Sequence, residues 1–360
     1  MNIRDQRQKE FSDMYLESSK KGILLLAPRF GKCYVGINIL EGLDPECSVL
    51  IAYPDNKIRE SWERDFKKRD YNNPNVTFTT HISLHKYQRF QYDIIVIDEI
   101  HLLSKAQITV CKTLFKNNSV ILGLTGSLSQ ETEKVLYKSL KLPVLAEYPI
   151  EKAIEEGIVV DYDITVIKVP LDIYVRTRTK TKYLTEKQRF HNLSWVINDM
   201  DINKKKGAMF MRLKRMRIIQ NSISKLNKTK ELLSSHPEER ILVFCGTTAI
   251  ADSLGIPSFH SKSTEKQLFQ DFADGIGNQM AVVKIGNTGV TYKPLDKVII
   301  NYFSSSPEDL TQRINRCMGL EYNNPDKKAK IYIVSTDEAI EAAWLDKALE
   351  FFDKEKIIYL

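Results

Sequence analysis

IIVIDEIH, residues 94–101, is the stretch that decides the fold. Three isoleucines and a valine in an unbroken run suit a central parallel strand, which is buried on both faces and so shows no polar alternation. Asp98 and Glu99 follow directly, and His101 stands two residues further on. Open α/β sheets bind ligands outside the carboxyl ends of their strands, so an acidic pair there is placed for chemistry. The same pair would also suit a solvated strand end, and the neighbouring segments have to decide.

Upstream, residues 22–27 (GILLLA) read as a strand, 28–32 (PRFGK) as a turn and 33–43 (CYVGINILEGL) as a helix. Strand, loop with Gly31-Lys32, helix is the context of a phosphate-binding loop: backbone N–H groups and the helix N-terminus supply positive potential, and the lysine reaches the β/γ-phosphates. Against the pattern GxxxxGK[ST], Leu26 stands for the first glycine and Cys33 for the hydroxyl residue that touches Mg²⁺. A thiol is a poorer ligand for a hard cation, which shifts Mg²⁺ binding towards Asp98 and water. Before this unit, residues 3–21 read as an amphipathic helix with Ile3, Phe11, Tyr15 and Leu16 inward. After it, Val49–Tyr53 is a strand and the next helix carries Trp62 and Phe66, read as core packing. Strands near residues 76–80 and 120–124 follow, the last ending in Thr125-Gly126-Ser127. Strands alternating with helices predict a doubly wound parallel sheet with Lys32, Asp98, Glu99, Thr125 and Ser127 at one edge.

The 360 residues exceed the usual single domain and predict two. Composition is ordinary for a globular chain, and no apolar run approaches the ~20 residues of a membrane span. Five scattered cysteines without a CxxC pair argue against a disulfide framework or a zinc site, and fit a reducing, cytoplasmic setting. The net charge of +7 permits a polyanionic partner.

Residues 1–146 are expected to form the first domain, 147–172 a linker leading into the second with its sheet starting near Ile164, and 173–360 the second domain. Between residues 175 and 217, thirteen Lys/Arg face only Glu186, Asp199 and Asp201, with Tyr183, Phe190, Trp195 and Phe210 interleaved. Within the basic helical segment 174–230, Lys204, Lys205, Lys206, Arg212 and Arg215 are candidate phosphate contacts and the aromatics candidate base stackers. A solvated helix pair with inward aromatics has the same composition. Strands at 241–246, 280–286, 296–301 and 329–335 repeat the grammar of the first half.

In order, Gln8, APRFGKC, AYPDNKIRESW, DEIH, LTGS, LVFCG, IGNTGVTY and TQRINRC make the chain resemble superfamily 2 DExH helicases and translocases. Within them it is similar to phage recombination helicases of the UvsW type, XPB-like repair helicases and restriction-enzyme motors. The resemblance implies two tandem RecA-like domains with ATP between them, Mg²⁺ as cofactor, and helicase or translocase work on nucleic acid, DNA before RNA, by a monomer without a membrane partner. It implies that Gln8, or Gln6 in a shifted register, reads adenine and that Gly31, Lys32 and Cys33 line the phosphates. Apart from the resemblance, Arg29 of the same loop is placed either to add charge there or to pack on the surface. Asp98 holds the metal, Glu99 polarises the attacking water, and His101, Thr125 and Ser127 couple the nucleotide site to the interdomain cleft. From the second domain Gly289 senses nucleotide, and Gln312 and Arg316 serve the γ-phosphate, Arg316 as the finger.

One departure stands out. The family pattern QxxGRxxR places a second arginine where this chain has Gly319, and Asn315 replaces the glycine; Arg313 points in another helical direction. With Leu26 and Cys33, this keeps a second reading open: an ATP-gated nucleic-acid-binding factor with little turnover.

Overall fold

The computed structural model describes residues 2–87, 91–115, 120–178, 182–283, 292–319 and 327–360. Gly289 and the end of the strand expected at 280–286 lie outside them. The chain divides after Val160 into two α/β units.

The first unit runs α1 (Ile3–Glu17), β1 (Lys21–Leu26), α2 (Lys32–Glu41), β2 (Val49–Tyr53), α3 (Asn56–Arg69), β3 (Val76–Thr80), β4 (Ile94–Asp98), α4 (Lys105–Leu114), β5 (Val120–Thr125), α5 (Gln130–Leu140), β6 (Val144–Tyr148) and α6 (Ile150–Glu155). Its strands lie in the order β3-β2-β4-β5-β1-β6, and every pairing among them is parallel. Every residue of β2 and β4 is buried, as strands covered on both faces require. Phe11 and Tyr15 of α1 are buried, but Ile3, expected inward, is 42% exposed because it opens the first turn, beyond the body it packs on.

The sheet has a sixth strand that the sequence does not announce. β6 pairs with β1, and its neighbourhood is tied back to α1: Arg4 donates to the Ile158 carbonyl and Arg7 pairs with Glu156 at 2.6 Å. The first unit therefore continues to Val160, not 146. β6 gives no sequence signal because its residues are half-buried at a sheet edge, where no continuous apolar run is needed.

The second unit runs β7 (Asp161–Val169), β8 (Arg176–Arg178), β9 (Tyr183–Thr185), α7 (Glu186–Ile202), α8 (Ala208–Gln220), α9 (Ile223–Ser234), β10 (Ile241–Phe244), α10 (Thr248–Ser253), β11 (Ser258–Phe259), α11 (Lys266–Ala273), β12 (Gln279–Val282), β13 (Lys297–Ile300), α12 (Pro307–Ile314), β14 (Lys328–Thr336), α13 (Ala339–Ala348) and β15 (Ile357–Tyr359). Its sheet order is β11-β12-β10-β13-β14-β7-β15, again parallel throughout. β7, Asp161–Val169, starts this sheet close to the Ile164 expected for it. The short edge strands β11 and β15 and the antiparallel β8–β9 ribbon are not legible in the sequence; each strand is two or three residues long, too short for a periodic signal. Both units are parallel sheets flanked by helices, the architecture of RecA-like domains.

Candidate nucleotide site and basic hairpin

In the first sheet β5 lies between β4 and β1, so the strand ends bearing Asp98 and leading to Lys32 flank the one bearing Thr125. Two strand spacings are about 10 Å, a gap that a lysine stem and a glutamate stem close together. Lys32 Nζ lies 2.9 Å from Glu99 Oε1.

The loop that presents Lys32 is fixed from below. Phe30 is fully buried against Tyr148 at 4.5 Å and Phe11 at 5.8 Å between ring centroids. Arg29 and Gly31 take left-handed backbone, with φ of 63° and 96°. At Gly31 a side chain would also collide with Gln8, whose Nε2 lies 2.4 Å from where a Cβ would be. Gln8 is buried and donates to the Phe30 carbonyl at 2.7 Å, whereas Gln6 is exposed. Of the two glutamines, Gln8 is the one at the loop.

Glu99 is held at φ 50°, a left-handed conformation that costs a non-glycine residue about 1–2 kcal/mol. Burial opposes ionisation of its carboxyl, but the Lys32 ammonium, His101 and the Gly126 N–H outweigh burial and hold it below the usual glutamate value. Asp98 is the opposite case: burial first, then the Glu99 charge, push it up to about 6 against the pull of Lys32 and two N–H donors. Those donors are the Trp62 indole, 2.8 Å from Oδ2, and the Glu99 amide, 2.9 Å from Oδ1. Lys32 loses to burial but gains more from Glu99 and Asp98, and its pKa is raised.

Thr125 Oγ1 lies 2.7 Å from His101 Nδ1 and 2.7 Å from the Ser127 carbonyl. The carbonyl can only accept, so Thr125 gives it its one proton, and His101 Nδ1 must then carry the hydrogen donated to Thr125. His101 Nδ1 also sits 3.5 Å from Glu99 Oε2. Glu99, His101, Thr125 and Ser127 thus form one connected chain at the ends of β4 and β5.

Trp62 does more than its sequence position suggests: it is buried, as expected, but it also touches the acid. Nothing in residue spacing signals that bond, which joins α3 to β4 through tertiary packing.

The donor set fits Mg²⁺ in part. Among the described residues no group of three or more His, Cys, Asp or Glu side chains is arranged to hold a metal ion. Mg²⁺ is usually held through one or two carboxylates with substrate phosphates and water, and Asp98, hydrogen-bonded at both oxygens, would be the carboxylate to supply. Cys33 fits poorly: burial, then the charges of Asp98 and Asp65, raise its pKa well above the usual thiol value, and a neutral thiol is a weak donor to a hard cation.

In the second unit, Gln312 lies on α12 and Arg316 just beyond it. Arg316 is half-buried, with its guanidinium 6.0 Å from the centre of the Tyr292 ring. Arg313 is buried; it donates to Asp309 at 2.8 Å and to the Tyr302 carbonyl, bonds that make it part of the packing of α12.

The basic segment folds as an antiparallel helical hairpin, α7 and α8. Its base is anchored by Phe190, Ile218 and Ile219, which pack with Leu171 and with Ile340 and Trp344 of α13. Residues 199–217 carry seven Lys/Arg against Asp199 and Asp201, seven minus two giving +5 of the chain's +7. Lys204 and Lys206 are exposed, while Lys205 pairs with Asp199 at 2.8 Å and Arg212 with Asp201 at 2.6 Å. Arg215 is half-buried, donating to Ser194 Oγ at 3.1 Å with its guanidinium 5.6 Å from the Phe190 ring. The aromatics divide: Phe190 is buried, whereas Tyr183, Trp195 and Phe210 are exposed. Among the described residues no helix is long and apolar enough to cross a membrane.

Residues 224–319 match the helicase conserved C-terminal domain family. That span holds β10 to β13 and α12 with Gln312 and Arg316. No curated protein matches the chain by sequence. Among solved structures, S. cerevisiae Dbp5 bound to RNA and ADP BeF3 is similar over 98% of this chain and 88% of its own, with TM-score 0.64 and 12% identity. The fragment of a putative HsdR subunit of a type I restriction enzyme from Vibrio vulnificus YJ016 is similar over 98% and 67%, with TM-score 0.63 and 14% identity. The Pyrococcus furiosus Hef helicase domain is similar over 96% and 99%, with TM-score 0.53 and 13% identity. At these identities the likeness is one of fold, and the fold of this chain is that of the RecA-like domains of helicases.

Proposed function

We propose that the protein is an ATP-dependent nucleic-acid helicase or translocase of superfamily 2, of DExH type, acting on DNA. The observation that carries the reading is the Lys32–Glu99 pair at 2.9 Å: the loop lysine and the acid that would polarise water meet at one edge of the first sheet. The helicase-domain match over residues 224–319 supports the nucleic-acid half of the proposal, and the fold shared with Dbp5, whose structure is bound to RNA, fits a nucleic-acid partner; the choice of DNA rests on the sequence resemblance alone.

In this reading the β/γ-phosphates of ATP compete with Glu99 for Lys32. Lys32 turns to the phosphates, and Glu99, still held by His101 and the Gly126 N–H, is left with a free oxygen for the attacking water. The water oxygen bonds to the γ-phosphorus as the bond to the β-phosphate oxygen breaks, and Glu99 takes the water proton. Asp98 would hold Mg²⁺, which supplies charge neutralisation at the phosphate oxygens. Gln8 and Arg29 line the loop, and Gln312 and Arg316 keep the γ-phosphate roles that the sequence resemblance implies for them. The hairpin, through Lys204, Lys205, Lys206 and Arg212 with the exposed Trp195 and Phe210, is the proposed nucleic-acid surface; Arg215 is more nearly a packing residue.

ATPase rates with and without single-stranded DNA, duplex DNA and RNA test the proposal. Stimulation by DNA above RNA is expected, and the absence of stimulation by all three would sink it. The departures at Leu26, Cys33 and Gly319 favour the second reading, an ATP-gated binding factor, which would bind nucleic acid in an ATP-dependent way while hydrolysing ATP no faster when bound.

A further inference from the structure

The strongest unassigned feature of the site is Trp62. It is fully buried, lies on α3 rather than on either element that carries the acids or the loop, and donates its indole N–H to Asp98 Oδ2 at 2.8 Å. Its ring is fixed on two other sides. Phe66 meets it edge-on with centroids 5.8 Å apart, and on α2 a Cβ at Gly36 would lie 2.6 Å from Trp62 Cη2. Gly36 is one helical turn beyond Lys32, so a single indole spans the phosphate-loop helix, α3 and the acidic strand end.

We infer that Trp62 is a positioning residue for Asp98: it fixes the carboxylate's rotation so that the remaining lone pairs face the nucleotide, and it does so only while α2 and α3 stay packed. The geometry supports this over mere core filling. A phenyl ring fills most of the same volume, whereas only an indole brings a donor to a buried carboxylate. With Oδ1 taken by the Glu99 amide at 2.9 Å and Oδ2 by the indole, both oxygens are tethered and Asp98 cannot turn about its terminal torsion without breaking a buried hydrogen bond. The inference rests on the proposed role of Asp98 in holding the cation.

Trp62→Phe keeps the ring and removes the N–H. Its half-maximal Mg²⁺ concentration for ATP hydrolysis should rise about ten-fold, the scale of lost outer-shell support to a metal ligand, with thermal unfolding close to the parent's. A parental Mg²⁺ dependence overturns the inference. A second measurement does not need the variant to be active. In protein labelled with ¹⁵N-tryptophan the three tryptophans give three indole N–H resonances, and the one absent from Trp62→Phe belongs to Trp62. That resonance should move in Asp98→Asn and again when Mg²⁺ and adenylyl imidodiphosphate are added to the parent. If it stays put in both, the indole does not position the carboxylate. Failure of the proposed function looks different: Glu99→Gln would then hydrolyse ATP like the parent, while the indole resonance would still respond to Asp98→Asn.

Discussion

The charges of the first sheet's edge and those of the α7–α8 hairpin carry the same residue types under opposite physics. At the sheet edge Lys32, Asp98 and Glu99 are largely buried, and each is tied to named partners over fixed distances. On the hairpin, lysines and arginines stand in water beside two aspartates. A buried charge must be partnered or neutralised, so its neighbours are specified to a fraction of an ångström. An exposed charge acts through its field, which salt screens within about 10 Å at 0.1 M. Replacing one residue should therefore be decisive at the sheet edge and graded on the hairpin.

The largest effect expected is on a buried pair elsewhere, which serves as the control for this rule. Lys225 and Glu341 are fully buried and 2.6 Å apart, and Glu341 also accepts from Thr336 N and Oγ1 at 2.7 Å. Glu341→Ala should cost about 3–5 kcal/mol in urea unfolding, because Lys225 is left charged and unpaired. Replacing both residues with apolar ones of similar size should recover most of that loss; no recovery would mean that the Thr336 bonds, not the ion pair, carry the stability.

Next comes Glu99→Gln, which keeps shape and removes charge. Nucleic-acid-stimulated ATP hydrolysis should fall by about 10²–10³-fold, the scale of losing a group that acts in the transition state, with little change in the ATP concentration for half-maximal rate. A parental rate would break the comparison at its buried end. Gly36→Ala is smaller: overpacking against Trp62 should cost about 1–3 kcal/mol of stability, read from thermal melts, and an unchanged melt would show that the indole can yield.

The hairpin gives the smallest response to any one change. Reversing Lys204, Lys205 and Lys206 to Glu should weaken binding to single-stranded DNA by about ten-fold and reduce the slope of log K against log salt by about 0.7 for each phosphate that is no longer neutralised. Unchanged binding would place the nucleic acid off the hairpin. A loss as complete as that of Glu99→Gln would show that the hairpin is a built site and not a charged surface.

The parallel sheet of the first unit was legible because IIVIDEIH, SVLIAY and GILLLA are continuous apolar runs, the signature of strands covered on both faces. Edge strands β6, β11 and β15 lack that signature, and with β6 went the true end of the first unit. The convergence of Lys32, Asp98, Glu99, Thr125 and Ser127 was legible because all five lie at, or in the loops just beyond, the carboxyl ends of strands of one parallel sheet. The partners of those residues were not. Trp62 reads as a core tryptophan and is one, but its bond to Asp98 depends on how α3 lies across β4. Gln8 and Gln6 are equivalent in sequence until the loop's packing buries one and leaves the other in solvent.

Residue order by itself determined the buried central strands, their parallel arrangement and which polar groups stand at their ends, since these follow from local periodicity and chain connectivity. Only the tertiary structure decided which oxygen of Asp98 meets an indole, why Glu99 stays ionised beside an Asp98 pushed up to about 6, and which hairpin cations are already paired. Hydrogen bonds and buried charges depend on distances of tenths of an ångström between residues remote in sequence, and no local pattern encodes those.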